Sequence, residues 1–294
     1  MAFPLKNTDL DVPPANTYML TTGKQARAAS NPALALEVGF RLDPGIRRKS
    51  RPNEDMVCVR QEIIPSTTGS LSVHPFTLLA VADGMGGQGH GQQASQLAVK
   101  SLIEYIEQAI NSTQKTPESL ASLLKAGVQY ANRAVYEQNQ RQSTDMGTTM
   151  TAVLAAETTA YVAHVGDSRL YSYRPSTGLV QITHDHSLVA LLVSMGTIAP
   201  DDIYTHPARN QIYRSLGSEA RVDIDTFSIP LATNDILLLC SDGLWEMVRD
   251  NQIASILTTK PSEPTAAAQT LIQAALKGGG ADNVSVVVAH VIGA

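Results

Sequence analysis

The chain has 294 residues, of which 43% are hydrophobic and 17% charged, and its formal net charge is −5. This apolar content is enough for a packed core, which excludes a disordered, collagenous or coiled-coil protein. The acid surplus is small and no long run of Lys or Arg occurs, which argues against nucleic acid as a partner.

The two cysteines, Cys58 and Cys240, lie far apart in the sequence and do not suggest a disulfide framework. Pro4 and Asp9 interrupt the region where a signal peptide needs a continuous apolar stretch. The longer apolar stretches do not reach the roughly 20 residues of a membrane-spanning helix. We therefore expect a soluble cytoplasmic protein without a membrane partner.

The first part of the chain, residues 1 to about 36, contains four prolines among small and polar residues and has no sustained helical or alternating pattern. We expect it to be an N-terminal extension, either an arm or a linker, outside the main fold. No second segment of this kind divides the remainder, so residues 37–294 are predicted to form one domain.

Apolar residues recur at steps of three and four in 94–110 and 120–135, which predicts two amphipathic helices. A third helix is predicted from about Pro264 to Leu276, because three glycines follow at 278–280. Mostly continuous apolar runs, typical of strands covered on both faces, predict six strands, at residues 76–82, 150–155, 160–165, 169–173, 235–240 and 284–291.

Neighbouring strands are more common in this order than strict alternation of strand and helix. The pattern favours an α+β fold, in which antiparallel sheets form a central β-sandwich flanked by helices, over a doubly wound parallel sheet. Residues 186–225 are less regular and contain Gly196, Pro200, Pro207 and Gly217 among polar residues. We expect them to form a flap inserted between strands.

Several acidic residues stand at the ends of the predicted strands, each beside Gly or Asn: Asp83, Asp167, Asp242 and Asp282, with Glu54 and Asp55 earlier in the chain. Any one of these pairs is ordinary turn chemistry. Four together are harder to explain in that way, because clustered carboxylates repel unless protons or cations compensate them. Oxygen ligands without a Cys or His cluster select Mg²⁺ or Mn²⁺, and a pair of such ions can clamp a phosphoryl group.

Other sites fit less well. His184 and His186 have a spacing that some zinc sites use, but no third His or Cys accompanies them. The glycine-rich run after Asp83 lacks the Lys-Ser/Thr ending of a P-loop and the order of a dinucleotide fingerprint. Ser168 and Ser241 do not stand in the Gly-x-Ser-x-Gly elbow of a serine hydrolase.

Seven motifs occur in an order that resembles the metal-dependent Ser/Thr protein phosphatases of type 2C, in their bacterial form: Arg51-Pro52-Asn53-Glu54-Asp55, Asp83-Gly84-Met85-Gly86-Gly87, Gly147-Thr148-Thr149, Gly166-Asp167-Ser168-Arg169, Thr183-His184-Asp185-His186-Ser187, Ser241-Asp242-Gly243-Leu244-Trp245 and Asp282-Asn283. Each motif alone is weak, but the ordered set is specific. The resemblance extends over nearly the whole chain after the N-terminal extension.

The resemblance implies a four-layer αββα architecture with a metal site at one edge of the sandwich. By motif match, Asp83 would bridge two Mn²⁺ or Mg²⁺ ions. Glu54 and the Gly84 carbonyl would complete one metal site, and Asp242 and Asp282 the other. These four acids are the expected catalytic residues.

The resemblance also implies supporting roles for further residues. Asp55 would support the water shell of the ions, and Asp167 with Asp242 would hold a third, weaker ion. The family commonly places its phosphate-binding Arg at the position of Ser50, which leaves Arg51 and Arg48 as the candidates here. Met85 stands where animal members carry a His as general acid, so a water on the metal or another group must protonate the leaving oxygen.

The function expected from the resemblance is hydrolysis of phosphoserine and phosphothreonine by a hydroxide that bridges the two ions, without a covalent phosphoenzyme. The expected partners are phosphorylated proteins, targets of a Ser/Thr kinase, and the chain is expected to act as a monomer in signal transduction. Two alternatives are a binding module without turnover and a nucleic-acid phosphodiesterase. The first would lack metal-binding acids, and the second would need a basic, aromatic groove, whereas only 5% of the residues are aromatic.

Overall fold

A computed structural model describes residues 17–21, 34–65, 73–111 and 119–293 of the chain. The strands within these ranges are β1 (Thr17–Thr21), β2 (Ala35–Asp43), β3 (Asp55–Pro65), β4 (Val73–Met85), β5 (Gly147–Thr148), β6 (Met150–Ala156), β7 (Thr159–Val165), β8 (Arg169–Arg174), β9 (Gly178–Gln181), β10 (Asp225–Pro230), β11 (Ile236–Cys240) and β12 (Val284–Ile292). The helices are α1 (His90–Asn111), α2 (Leu120–Gln142), α3 (Leu188–Ser194), α4 (Asp242–Trp245), α5 (Asp250–Thr259) and α6 (Pro264–Lys277).

The strands form two sheets. The first has the order β1-β3-β4-β6-β7-β10, with β5 beside the end of β4, and the second has the order β2-β12-β11-β8-β9. Among the described strand pairs, all are antiparallel except that of β1 with β3. Antiparallel sheets were expected, and the parallel pairing of β1 is the difference.

Side chains alternate between two apolar environments along the central strands. In β3, Val57 and Val59 pack in the cluster between the two sheets, whereas Met56 and Cys58 pack with helices α1 and α2. A strand covered on both faces is apolar at successive positions, which explains the continuous hydrophobic runs in the sequence.

The helices cover the outer faces of the sandwich. Apolar residues of α1 and α2 pack on the first sheet, and those of α5 and α6 pack on the second sheet. The four layers are therefore helices, sheet, sheet and helices. The expected α+β fold with a central sandwich is confirmed, and the three predicted helices are α1, α2 and α6.

The segment between β9 and β10 is the least regular part of the described chain. It contains α3 and a short 3₁₀ helix (Pro200–Tyr204), and the residues from 205 to 224 form turns and bends. This segment corresponds to the expected flap at about 186–225, and Asp225 itself opens β10.

The predicted N-terminal extension falls largely outside the described residues. Two parts of it are described: β1, which pairs with β3 in the first sheet, and the start of β2 at Ala35. The division of the chain at residue 36 stays a prediction. Within the described ranges, no helix is both long enough and apolar enough to cross a membrane.

Candidate active site

Five acidic side chains from different elements line one cavity at an edge of the sandwich. Glu54 immediately precedes β3, Asp83 lies near the end of β4, Asp167 lies between β7 and β8, Asp242 begins α4 and Asp282 precedes β12. The cavity has a volume of about 280 Å³, and Gly84, Arg48 and Arg51 also line it. We call it the acidic cavity. It gathers every candidate site residue of the sequence analysis except Asp55.

Asp55 lies behind the cavity wall and is completely buried. It stands opposite Asp83 in the register of β3 and β4. The Ser241 hydroxyl donates a hydrogen bond of 2.7 Å to its Oδ2. Asp55 is therefore held beside Asp83, in a position to support the neighbouring acids.

Arg48 joins two of the acids. Its Nη1 lies 3.1 Å from Glu54 Oε2, and its Nη2 lies 2.9 Å from Asp282 Oδ2. Asp282 Oδ1 accepts a further hydrogen bond of 2.7 Å from the backbone N–H of Asn283. One guanidinium thus holds together acids that precede β3 of the first sheet and β12 of the second.

Burial and mutual repulsion both disfavour the charged forms of these acids. Burial raises the pKa of Asp167 to about 7 and the pKa of Asp55 to about 6. The pKa values of Asp83 and Asp242 are raised well above the ordinary value, by burial first and then by neighbouring carboxylates. Bound cations would relieve this repulsion.

The chemistry of the cavity fits a hard divalent ion. All of its candidate ligands are carboxylate or carbonyl oxygens, the set that Mg²⁺ and Mn²⁺ prefer. Asp242 Oδ1 is buried and has no hydrogen-bond partner in the described part of the chain. In those same residues, however, no three His, Cys, Asp or Glu side chains are already arranged as a complete metal-binding group. Two of the candidate ligands, Glu54 and Asp282, are instead paired with Arg48.

Gly84 occupies a position where only glycine fits. A Cβ atom there would lie 2.0 Å from the Gly91 carbonyl oxygen and 2.6 Å from the Glu54 carbonyl oxygen. Such distances are far inside van der Waals contact, and both neighbours are backbone atoms. The close approach of three backbone segments brings the Gly84 peptide against Glu54.

Comparison with known proteins gives the family of the chain. The model of the family described as protein phosphatase 2C matches residues 68–278. The serine/threonine phosphatase Stp of Listeria welshimeri is 38% identical over 211 residues, which cover 71% of this chain and 82% of that protein. The chain belongs to the protein phosphatase 2C family. It is therefore an enzyme, a protein phosphatase, as the ordered motifs predicted.

Further relatives of this protein phosphatase 2C are also bacterial. The serine/threonine protein phosphatase PstP of Mycobacterium tuberculosis is 39% identical over 217 residues, which cover 73% of this chain and 40% of PstP. A crystal structure of the PstP catalytic domain in complex with two manganese ions has a TM-score of 0.72 and 35% identity. The structural match covers 88% of this chain and 99% of the PstP chain in that crystal structure. The fold and the bacterial branch inferred from the motifs are confirmed.

Two residues that hold the acids in place had no assigned role in the sequence analysis. Thr149 Oγ1 accepts a hydrogen bond of 2.9 Å from the backbone N–H of Asp83 and lies 2.7 Å from Ser168 Oγ. The Trp245 indole N–H donates a hydrogen bond of 3.0 Å to the backbone oxygen of Asp167. Both residues stand in the recognised motifs, but their partners are 66 and 78 residues away. Spacing along the chain could not identify such contacts.

The flap also contributes to the acidic cavity, through Asn210 and Ile212. The segment that contains them is held to the start of the flap, because the Leu188 N–H donates to the Gln211 oxygen and the Tyr213 N–H donates to the His186 oxygen. Neither Asn210 nor Ile212 carries a sequence signal that would have predicted this position.

The alternative zinc site gains no support from the geometry. The His186 Nδ1 accepts a hydrogen bond of 3.0 Å from the Gly166 N–H, and its Nε2 lies 3.2 Å from Asp225 Oδ2. Arg214 Nη1 lies 2.8 Å from Asp225 Oδ1 and 2.9 Å from His186 Nε2. His186 thus serves in a polar network at the base of the flap, whereas His184 is exposed.

Proposed function

We propose that this protein phosphatase 2C hydrolyses phosphoserine and phosphothreonine in protein substrates with the help of two divalent ions, Mn²⁺ or Mg²⁺, bound in the acidic cavity. The observation that carries the proposal is the convergence of five carboxylates and two arginines on that one cavity. The names of the bacterial relatives support the Ser/Thr specificity, and the manganese complex of PstP supports the choice of metal.

Each acid then has a role. Asp83, at the end of the central strand β4, would bridge the two ions. Glu54 and the Gly84 carbonyl would hold one ion, and Asp242 and Asp282 the other. When bound, such ions supply a water activated as the nucleophile and neutralise charge on the phosphoryl oxygens.

The two remaining acids, Asp55 and Asp167, would act beside the two ions. Asp55 would orient the water shell from behind the wall, where Ser241 fixes its carboxylate. Asp167 would hold a third, weaker ion together with Asp242. Thr149 and Trp245 would keep the main chains of Asp83 and Asp167 in position.

The arginines would bind the phosphoryl group. Arg51 is exposed at the wall of the cavity. Its charge favours the ionised form of nearby Glu54, but within the described ranges it forms no close ion pair of the kind that Arg48 makes. Arg48 is engaged by two acids. We therefore assign the first contact with substrate phosphate to Arg51, because its donors are available for a bidentate contact with phosphate oxygens.

The leaving Ser or Thr oxygen must also receive a proton. Met85 lines the cavity where animal members of the family carry a His, and a thioether has no proton to donate. His is absent from the described lining of the cavity. We propose that a water molecule protonates the leaving oxygen.

The test is hydrolysis of phosphoserine and phosphothreonine peptides, and of p-nitrophenyl phosphate, by the purified protein with added Mn²⁺ or Mg²⁺. Chelation by EDTA should abolish turnover. An Asp83→Asn variant should lose more than about 100-fold in kcat, because a bridging ligand matters more than the outer partners of a metal site. Asp223 is exposed, so Asp223→Asn is the matched control and should keep wild-type activity. Full activity of Asp83→Asn would refute the proposal.

A further inference from the structure

A second cavity, larger than the acidic one, lies between the flap and the second sheet. Its volume is about 460 Å³. Leu191 and Val193 of α3, with Ile203 of the 3₁₀ helix, line it on the flap side, and Arg169 and Gln181 line it on the sheet side. We call it the flap cavity. No step of the proposed hydrolysis uses it.

The polar floor of the flap cavity is already satisfied by contacts within the protein. The Arg169 side chain donates to both oxygens of Asp185, at distances of 2.7 to 3.1 Å, and stacks on the Trp245 ring with its Cζ 3.7 Å from the centroid. Gln181 donates a further hydrogen bond of 3.0 Å to Asp185. Because the charged groups of this floor are already paired and hydrogen-bonded, the flap cavity does not require a charged ligand.

The opposite wall is apolar and incompletely covered. Leu191 is 45% exposed and Tyr213 is 56% exposed, and both line the flap cavity. Of the seven residues of α3, only Val189 is buried. Large apolar side chains left open around a concave site favour an apolar ligand.

The flap cavity lies beside the acidic cavity, because neighbouring residues of the chain line the two. Asp167 lines the acidic cavity, and Arg169, two residues later, lines the flap cavity. In the same way Ile212 lines the acidic cavity and its neighbour Tyr213 lines the flap cavity. Residues that line the two cavities are thus one or two positions apart, about 4 to 7 Å between their Cα atoms. Hydrogen bonds between residues 186–188 and 211–213 hold the segment that carries Ile212 and Tyr213.

We propose that the flap cavity binds an apolar side chain of the phosphoprotein substrate, within about four residues of the phosphorylated Ser or Thr. An extended peptide advances about 3.3 Å per residue, so the four residues on either side of a phosphate held in the acidic cavity span about 13 Å, more than the spacing between the residues that line the two cavities. This subsite gives the enzyme a preference for sequence around the phosphate. It rests on the proposed function, because the phosphate must be held in the acidic cavity.

The test uses a series of phosphoserine peptides in an alanine background, in which a single Leu is moved through four positions on each side of the phosphoserine. At one or more positions, the wild-type enzyme should show a kcat/KM about tenfold higher for Leu than for Ala, the gain expected from partial burial of a Leu side chain. The ratio should fall towards one in Leu191→Ser. Met195→Ser is the matched control, because Met195 adjoins the same helix, is 69% exposed and does not line the cavity.

The outcomes separate the two proposals. Comparable kcat/KM for all Leu positions, or a Leu preference that persists in Leu191→Ser, would overturn the subsite while peptide hydrolysis still supports the proposed function. An equal loss of preference in Met195→Ser would also overturn it, because the effect would then belong to the surface of α3 in general. Absence of metal-dependent turnover of p-nitrophenyl phosphate, a substrate too small to reach the flap cavity, would instead refute the proposed function.

Discussion

Arg48 and Arg51 both line the acidic cavity but differ in what they contact, and this difference predicts opposite effects of mutation. Arg51→Ala should lower kcat/KM for a phosphopeptide about tenfold or more, because a charged hydrogen bond to phosphate is lost. It should change the free energy of unfolding little, since Arg51 is exposed. Steady-state kinetics and chemical unfolding of the same sample measure both effects.

Arg48→Gln is the counterpart and should chiefly affect stability. The substitution removes the ion pairs to Glu54 and Asp282 and leaves two partly buried acids without their cation. We expect a loss of about 1–2 kcal/mol in the free energy of unfolding, measured in EDTA so that metal does not mask it. If Arg48→Gln and Arg51→Ala have the same effects on stability and on kcat/KM, the assignment of separate roles is wrong.

The close backbone packing at Gly84 allows a steric test. Gly84→Ala should destabilise the protein by about 1–3 kcal/mol, because the new Cβ would meet the carbonyl oxygens of Gly91 and Glu54. Activity should fall with it, since the displaced segment carries Glu54. Gly87→Ala is the control, as no atom lies within 4 Å of a Cβ at that position. Thermal unfolding and turnover of p-nitrophenyl phosphate measure the result, and equal effects of the two substitutions would contradict the steric argument.

At the scale of elements, continuous apolar runs predicted most of the central strands, but the central strand β3, whose apolar run is broken by Arg60, Gln61 and Glu62, was not predicted. β4, β6, β7, β8, β11 and β12 were all expected close to their observed bounds. The edge strands β2 and β10 were not predicted, since they are only partly buried and carry polar residues between the apolar ones. β2 also pairs with β12 from the far end of the chain. Such a strand is specified by its partner more than by its own sequence.

The acidic cavity was only partly predictable from the sequence. Each acid stands beside a turn residue at the end of an apolar strand, so a local pattern was enough to nominate it. The contacts of Arg48 with Glu54 and Asp282, and the approach of Ile212 from the flap, depend on segments that meet only in the folded chain. Local sequence therefore indicated the candidate ligands but not the residues that pair with them or enclose them.

Strand β7 carries a buried histidine, His164, that should make stability depend on pH. Burial lowers the pKa of His164 to about 3, from an ordinary value of 6.5. His164 Nδ1 lies 2.9 Å from Thr151 Oγ1, its cross-strand partner, and Nε2 donates to the His184 oxygen. Between these two pKa values the unfolded chain binds a proton that the folded chain excludes. The free energy of unfolding must fall as the pH falls through this window, by at most about 1.4 kcal/mol per pH unit.

His164→Gln tests this dependence, since an amide can keep hydrogen bonds but does not titrate. Urea unfolding from about pH 7.5 to about pH 5 should show a shallower decline of stability in the variant than in the wild type. A constant loss at every pH would reflect packing alone, so the slope is the informative quantity. An unchanged slope in His164→Gln would exclude this histidine as the cause.

At the scale of the whole molecule, the acidic cavity lies where the two sheets meet. Asp83 belongs to the first sheet and Glu54 adjoins it, whereas Asp242 and Asp282 flank strands of the second sheet. Ions held by all four acids would link the sheets directly. They would also neutralise much of the formal charge of −5, which is concentrated in part at this edge. Metal binding is therefore expected to stabilise the entire sandwich.

Thermal unfolding with increasing Mn²⁺ tests this expectation without any assay of turnover. At a metal concentration about a hundredfold above Kd, the gain should be about 2.7 kcal/mol for each ion bound, which raises Tm by several degrees in a protein of this size. Asp83→Asn and Asp242→Asn each remove one proposed ligand, the first from the first sheet and the second from the second sheet, and both variants should lose most of the Mn²⁺-dependent shift. Asp223→Asn should retain it. If only one of the two ligand variants lost the shift, the ions would bind to a single sheet and could not link the sandwich.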